Sequence, residues 1–142
     1  MTVARILQTK GNTVTTISPD ALVAQAVAVL SEGNFGAIVA SKDGKSVDGI
    51  LSERDIVRRL HDLGENVLKR PVREIMTANV ITCSPSDRSQ GLLAVMTGRR
   101  IRHLPVVEDG ELIGIISIGD VVKIRLDDLV SETEALQQYI QG

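Results

Sequence analysis

The sequence states one pattern twice, and a chain built that way folds into two like units that share a plan. Val14–Asp55 reads VTTISPDALVAQAVAVL, then GAIVA, DG and GILSERD, while Val80–Asp120 reads VITCSPSDRSQGLLAVM, then HLPVV, DG and GIISIGD. Ser18-Pro19 answers Ser84-Pro85, and Gly49–Asp55 answers Gly114–Asp120. A short amphipathic piece precedes each copy, VARIL at Val3–Leu7 and VREIM at Val72–Met76. Sequence order therefore divides the chain into a first unit, 1–66, with an N-terminal lead-in helix. The second unit, 67–142, has its own lead-in helix and a C-terminal helical tail.

Local signals give both units the order strand, helix, strand, strand, helix, an α/β (α+β) plan. Ser18-Pro19-Asp20 reads as a helix start, with Ser as cap, Pro in the first turn and Asp at the positive helix end. Ala21, Leu22, Ala26, Val29 and Leu30 then recur at helical spacing. Ser84-Pro85-Ser86-Asp87 opens the equivalent helix, whose inner face should hold Leu92, Val95 and Met96. Aliphatic strands follow at Ala37–Ala40 and Leu104–Val107. Asp43-Gly44 and Asp109-Gly110 mark tight turns into second strands, Val47–Leu51 and Leu112–Ile116, which run into the capping residues Ser52 and Ser117. One such unit leaves an apolar sheet face open, so the expectation is two units packed sheet to sheet.

Composition narrows the function. Sixteen basic against eighteen acidic residues give a formal charge of −2, too little positive charge for a general grip on nucleic acid. Phe35 and Tyr139 are too few to form a base-stacking platform. The apolar runs are far short of a membrane span, and MTVARILQTKGN lacks the features of a secretory signal, so a cytoplasmic protein is expected. Cys83 has no disulfide partner. His61, Cys83 and His103 lack metal-ligand spacing, and two histidines with one cysteine assemble no nucleophilic triad. Gly44-Lys45-Ser46 lacks the glycine a phosphate-binding loop needs, since Val39 stands there. Neither a metal site, a catalytic cofactor nor an enzyme is expected.

Two features could bind a ligand. Gly-apolar-apolar-Ser-x-x-Asp occurs at Gly49–Asp55 and again at Gly114–Asp120. A strand glycine permits close approach of another backbone or a ligand, and a carboxylate at a helix start can accept from the two hydroxyls of a ribose. The same Ser and Asp also fit a capping box. The second feature is the basic run Arg99, Arg100, Arg102 and His103, which could hold a phosphate or could be a solvated turn. Pairing of strand Leu104–Val107 with Leu112–Ile116 would bring Arg102 and His103 towards Ser117 and Asp120. In the first copy the stretch Ser31–Gly36 has no cation, and the candidate is Arg54. The tail from Ile118 to Ile140 carries more apolar side chains than its own unit needs, which points to contact with a second copy.

These residues resemble a tandem pair of CBS domains, the Bateman module. The resemblance rests on IRHLPVVEDGELIGIISIGDVV, on GAIVASKDGKSVDGILSERDIV and on the introductory VREIMT, and covers about residues 3–125. Gly36-Ala37-Ile38 departs from the usual apolar-Pro pattern that Leu104-Pro105 keeps. The resemblance implies an adenosine-containing ligand such as AMP, ADP, ATP, S-adenosylmethionine or NAD(H). It implies that Ser117 and Asp120 hold ribose, that Arg102 and His103 lie at the phosphate, and that Leu104, Pro105 and Ile115 flank adenine, with Ser18 completing that cleft. In the other cleft it implies ribose at Ser52 and Asp55, phosphate near Arg54, adenine along Gly36, Ala37 and Ile38, and a contribution from Ser84. It further implies a homodimeric, free-standing sensor acting through its assembly state or a protein partner. A constitutive dimerisation module without ligand is the competing expectation.

Overall fold

The computed structural model describes residues 1–11 and 13–141. Its elements are α1 (Val3–Lys10), β1 (Thr16–Ile17), α2 (Val23–Gly33), β2 (Ala37–Ala40), β3 (Gly49–Ser52) and α3 (Glu53–Leu63). Two 3₁₀ segments, Gly64–Lys69 and Val72–Glu74, lead on to α4 (Ser89–Gly98), β4 (His103–Glu108), β5 (Glu111–Ser117) and α5 (Ile118–Gln141). The mixed α/β plan with a small sheet and helices in each unit is thus present. Among the described residues no helix is long and apolar enough to cross a membrane.

Packing does not follow sequence order at the lead-ins. One compact unit joins Thr13–Ile81 to Glu108–Ile113 and contains the first repeat; the other joins Met1–Asn12 to Thr82–Val107 and Gly114–Gly142 and contains the second. Each lead-in packs on the repeat it does not immediately precede. Helix α1 buries Val3, Ile6 and Leu7 in the second-repeat unit, where Val3 and Ala4 N–H donate to the carbonyls of Asp87 (2.9 Å) and Pro85 (3.0 Å). Val72 and Arg73 N–H donate to Ala21 (2.8 Å) and Pro19 (2.8 Å) in the first-repeat unit. Within VREIM, Val72–Glu74 form a 3₁₀ turn, Pro71 standing immediately before its first residue.

In the first-repeat unit β1 runs parallel to β2, and β2 antiparallel to β3, in the order β1-β2-β3. All of β2 is buried. Its core joins Ile17, Val23, Ala26, Leu30, Ile38, Leu51, Val67 and Val72. At about 25 cal/mol per Å² of apolar surface, burial of this kind is the main source of stability. β4 and β5 pair in a two-stranded sheet, and the second-repeat unit, which takes β4 through Val107 and β5 from Gly114, buries Leu92, Met96, Leu104, Val106, Ile116 and Val121. There Cys83 replaces a first strand by a single parallel bridge to Val106. Its thiol is buried, and desolvation first, then the charge of Asp87, pushes its pKa up to about 12.

The Ser-Pro motifs are turns, not helix starts. Asp20 N–H donates to Ser18 Oγ (3.2 Å), and the helix begins only at Val23, where Gln25 Oε1 accepts from Leu22 N–H (2.9 Å). Asp87 Oδ2 likewise accepts from Ser84 N–H (2.8 Å), and α4 begins at Ser89. A short polar side chain bonding backbone two or three residues away competes with helix, which explains the shift. Val95, expected inside, is exposed. The two DG turns also differ. Asp109 (φ 53°) and Gly110 (φ 78°) form the two-residue turn expected between strands. Asp43-Gly44 instead sits in a longer loop, in which Asp43 Oδ1 accepts from Lys45 N–H (2.9 Å) and Ser46 N–H (2.8 Å).

Candidate functional site

In each unit a strand runs straight into a helix whose first turn is closed by the Ser and Asp of the repeated motif. In the first-repeat unit Asp55 N–H donates to Ser52 Oγ (3.2 Å), Ser52 N–H to Asp55 Oδ2 (2.9 Å), and the Ser52 hydroxyl to the same Oδ2 (3.0 Å). In the second-repeat unit Asp120 N–H donates to Ser117 Oγ (3.1 Å) and Ser117 N–H to Asp120 Oδ2 (2.9 Å). Both are capping boxes, which satisfy donors that a helix start otherwise leaves open. Each box engages only Oδ2. Among the described residues Oδ1 of Asp55 and Oδ1 of Asp120 have no hydrogen bond. Capping and a diol grip are therefore compatible, because an ionised carboxylate has about four lone-pair sites.

The segment expected at the phosphate comes to the same helix start. Ile118 N–H donates to the Arg102 carbonyl (2.8 Å), so Arg102 and His103 lie beside Ser117 at the entry to α5. Glu53 N–H donates to the Gly36 carbonyl (3.0 Å) at the matching place, and Ala37 pairs with Ser52 across the sheet. Leu104 and Pro105 are buried in β4, Ala37 and Ile38 in β2, and Ile115 is half-buried in β5. Arg54 is exposed on α3. Ser18 lies in the first-repeat unit and Ser84 in the second, each in its Ser-Pro turn; Ser84 Oγ is 2.8 Å from Ser86 Oγ.

The motif glycines serve the fold. A Cβ on Gly49 would run into Met76 Sδ, and would lie 2.8 Å from Met76 Cγ and 3.0 Å from the Thr77 carbonyl oxygen. A Cβ on Gly114 would lie 2.7 Å from Leu7 Cδ2. The close approach that each glycine allows is made by the lead-in segments, so the glycines themselves carry no evidence for a ligand.

Sequence reasoning missed Lys10. Its ammonium donates to Asp120 Oδ2 (2.8 Å) and to the Ile115 carbonyl (3.0 Å). Burial alone would raise the pKa of Asp120; Lys10 and the Ser117 donors outweigh it and hold the carboxyl below its usual value. Lys10 is the last residue of α1, far from Asp120 in sequence, and no local pattern joins them.

A doubled α/β unit with a Ser/Asp helix cap at each strand exit defines a tandem small-sheet module. The CBS domain family profile matches residues 4–62 and 72–127, and the chain belongs to that family. A mitochondrial CBS domain-containing protein of Arabidopsis thaliana is 37% identical over 87% of this chain, which spans 62% of that relative's length. The crystal structure of a CBS-domain containing protein from Agrobacterium tumefaciens is 42% identical, with a TM-score of 0.84 over 88% of this chain and 99% of that one. The CBS domain pair of protein MJ0100, solved in complex with 5′-methylthioadenosine and S-adenosyl-L-methionine, is 25% identical. Its TM-score is 0.77 over 90% of this chain and 98% of that one.

Proposed function

We propose that the chain is a regulatory module that binds adenosine-containing ligands at its two Ser/Asp helix starts and performs no catalysis. The observation that carries this reading is Oδ1 of Asp55 and of Asp120, without a hydrogen bond among the described residues and aligned by a cap that uses only the other oxygen. In the second-repeat unit Ser117 and Asp120 take the ribose, Arg102 and His103 the phosphate, and Leu104, Pro105 and Ile115 line the base. In the first-repeat unit Ser52 and Asp55 take the ribose, Arg54 the phosphate, and Gly36, Ala37 and Ile38 the base. The adenosine ligands bound by the MJ0100 domain pair support the ligand class, within which AMP, ADP, ATP and NAD(H) are the candidates.

The assembly reading is a homodimer. In the first-repeat unit a groove of ≈ 460 Å³ lies between α2 and α3, lined by Val27, Leu30, Ser31, Asn34, Glu53, Ile56 and Val57. Val57 and Leu60 on α3 are exposed, as are Leu126, Leu129 and Val130 on α5 of the second-repeat unit. Apolar helix faces of this kind are commonly closed by a second copy. They also favour a second reading, a constitutive dimer with empty sites.

Thermal unfolding against AMP, ADP, ATP, NADH and S-adenosylmethionine, with guanosine nucleotides as controls, separates the two readings. A ligand at a hundredfold excess over its Kd stabilises the fold by about 2.7 kcal/mol. An adenine-selective rise in Tm is expected. No rise with any of these ligands at millimolar concentration leaves the constitutive dimer.

A further inference from the structure

We propose that Lys10 is the specificity-determining cation of the second-repeat site, selecting adenosine ligands that carry phosphate over the uncharged nucleoside. The inference rests on the reading of Asp120 as a ribose anchor and deepens it.

The placement of the ammonium is built into the fold. Val3, Ile6 and Leu7 bury one face of α1, and Gly11 (φ 95°) ends the helix directly after Lys10, its N–H donating to the Leu7 carbonyl (2.7 Å). Lys10 then spends two of its three N–H donors on Asp120 Oδ2 (2.8 Å) and Ile115 O (3.0 Å). Both acceptors belong to residues assigned to the same site. Among the described residues one donor remains, and the ion pair cancels the charge of Asp120 at the helix start.

The effect depends on ligand charge. A ribose diol bonds to Asp120 Oδ1, which Lys10 does not occupy, so an uncharged nucleoside neither gains nor loses much from the lysine. A phosphate on that ribose lies within one Debye length, about 8 Å at physiological salt, and responds to the net charge of the site. With Lys10 in place the Asp120 charge is neutralised and Arg102 is in excess. Without it Asp120 and Arg102 cancel, and the phosphate meets no net positive charge. Asp55 shows the contrast: its carboxylate bonds only to Ser52 among the described residues, with no ion pair, and Glu53 offsets the neighbouring Arg54.

Calorimetric titration of the full chain with adenosine and with AMP, which differ only in the phosphate, tests this in the parent, Lys10→Met and Lys10→Arg. Lys10 is partly exposed, and melting curves verify that each variant is folded. The Met variant is expected to weaken AMP about fivefold to tenfold relative to adenosine, and the Arg variant to restore the ratio. Raising the salt should narrow the AMP–adenosine difference in the parent and leave it unchanged in the Met variant. Equal weakening of both ligands, or an unchanged ratio, overturns the role of Lys10 while leaving the adenosine sites standing. A parent that binds neither ligand overturns the site reading and this inference together.

Discussion

The two repeats use the same helix cap and close its surroundings differently. In the first-repeat unit the chain after Met76 pairs with β3, Ile50 and Thr77 exchanging backbone hydrogen bonds of 3.0 and 2.9 Å. In the second-repeat unit the lead-in stays helical through Lys10, and a side-chain ammonium takes the Ile115 carbonyl instead. A backbone ladder is neutral, whereas a lysine brings charge. Two helix starts that share the Ser-x-x-Asp motif are thereby chemically unequal.

The largest test of this comparison is in the packing. Leu7 is 5% exposed against Gly114, and Leu7→Ala should destabilise the chain by about 2–4 kcal/mol. Met76 is only half-buried, so Met76→Ala should cost less, and chemical denaturation ranks the two. The glycines should rank the other way. Gly49→Ala meets the Thr77 backbone and should cost about 1–3 kcal/mol, whereas Gly114→Ala meets only a movable Leu7 methyl and should cost about 1 kcal/mol or less. Equal losses at the two glycines would contradict the difference between a backbone and a side-chain lead-in.

The smallest expected effect is electrostatic. Asp120 titrates below its unfolded value of 3.8, so its contribution to stability is complete above that pH and is lost as the pH falls through the lower folded value. Lys10→Met should shrink this acid-sensitive contribution, moving the acid unfolding midpoint to higher pH. An acid transition identical in parent and variant would show that the ion pair does not reach stability.

Much of this was legible in the sequence, for physical reasons. The duplication, the strand-to-helix exits at Ser52 and Ser117 and the buried strands Ala37–Ala40 and Leu104–Val107 all rest on local pattern. The approach of Arg102 to the start of α5 followed from pairing of adjacent strands. The helix starts were misplaced because Ser18-Pro19-Asp20 and Ser84-Pro85 carry cap chemistry that the chain spends on turns. The exchange of lead-ins was illegible, since helix α1 and the Asp87 backbone it bonds to are joined only by tertiary packing. Lys10 was missed for that reason too, and with it the feature that distinguishes the two helix starts.

The most direct test of two unequal adenosine sites is a calorimetric titration with AMP of the parent, Asp55→Ala and Asp120→Ala, each shown folded by its melting curve. The account predicts two sites of different affinity in the parent, loss of the tighter in Asp120→Ala and its retention in Asp55→Ala. Indistinguishable binding by all three chains would contradict it.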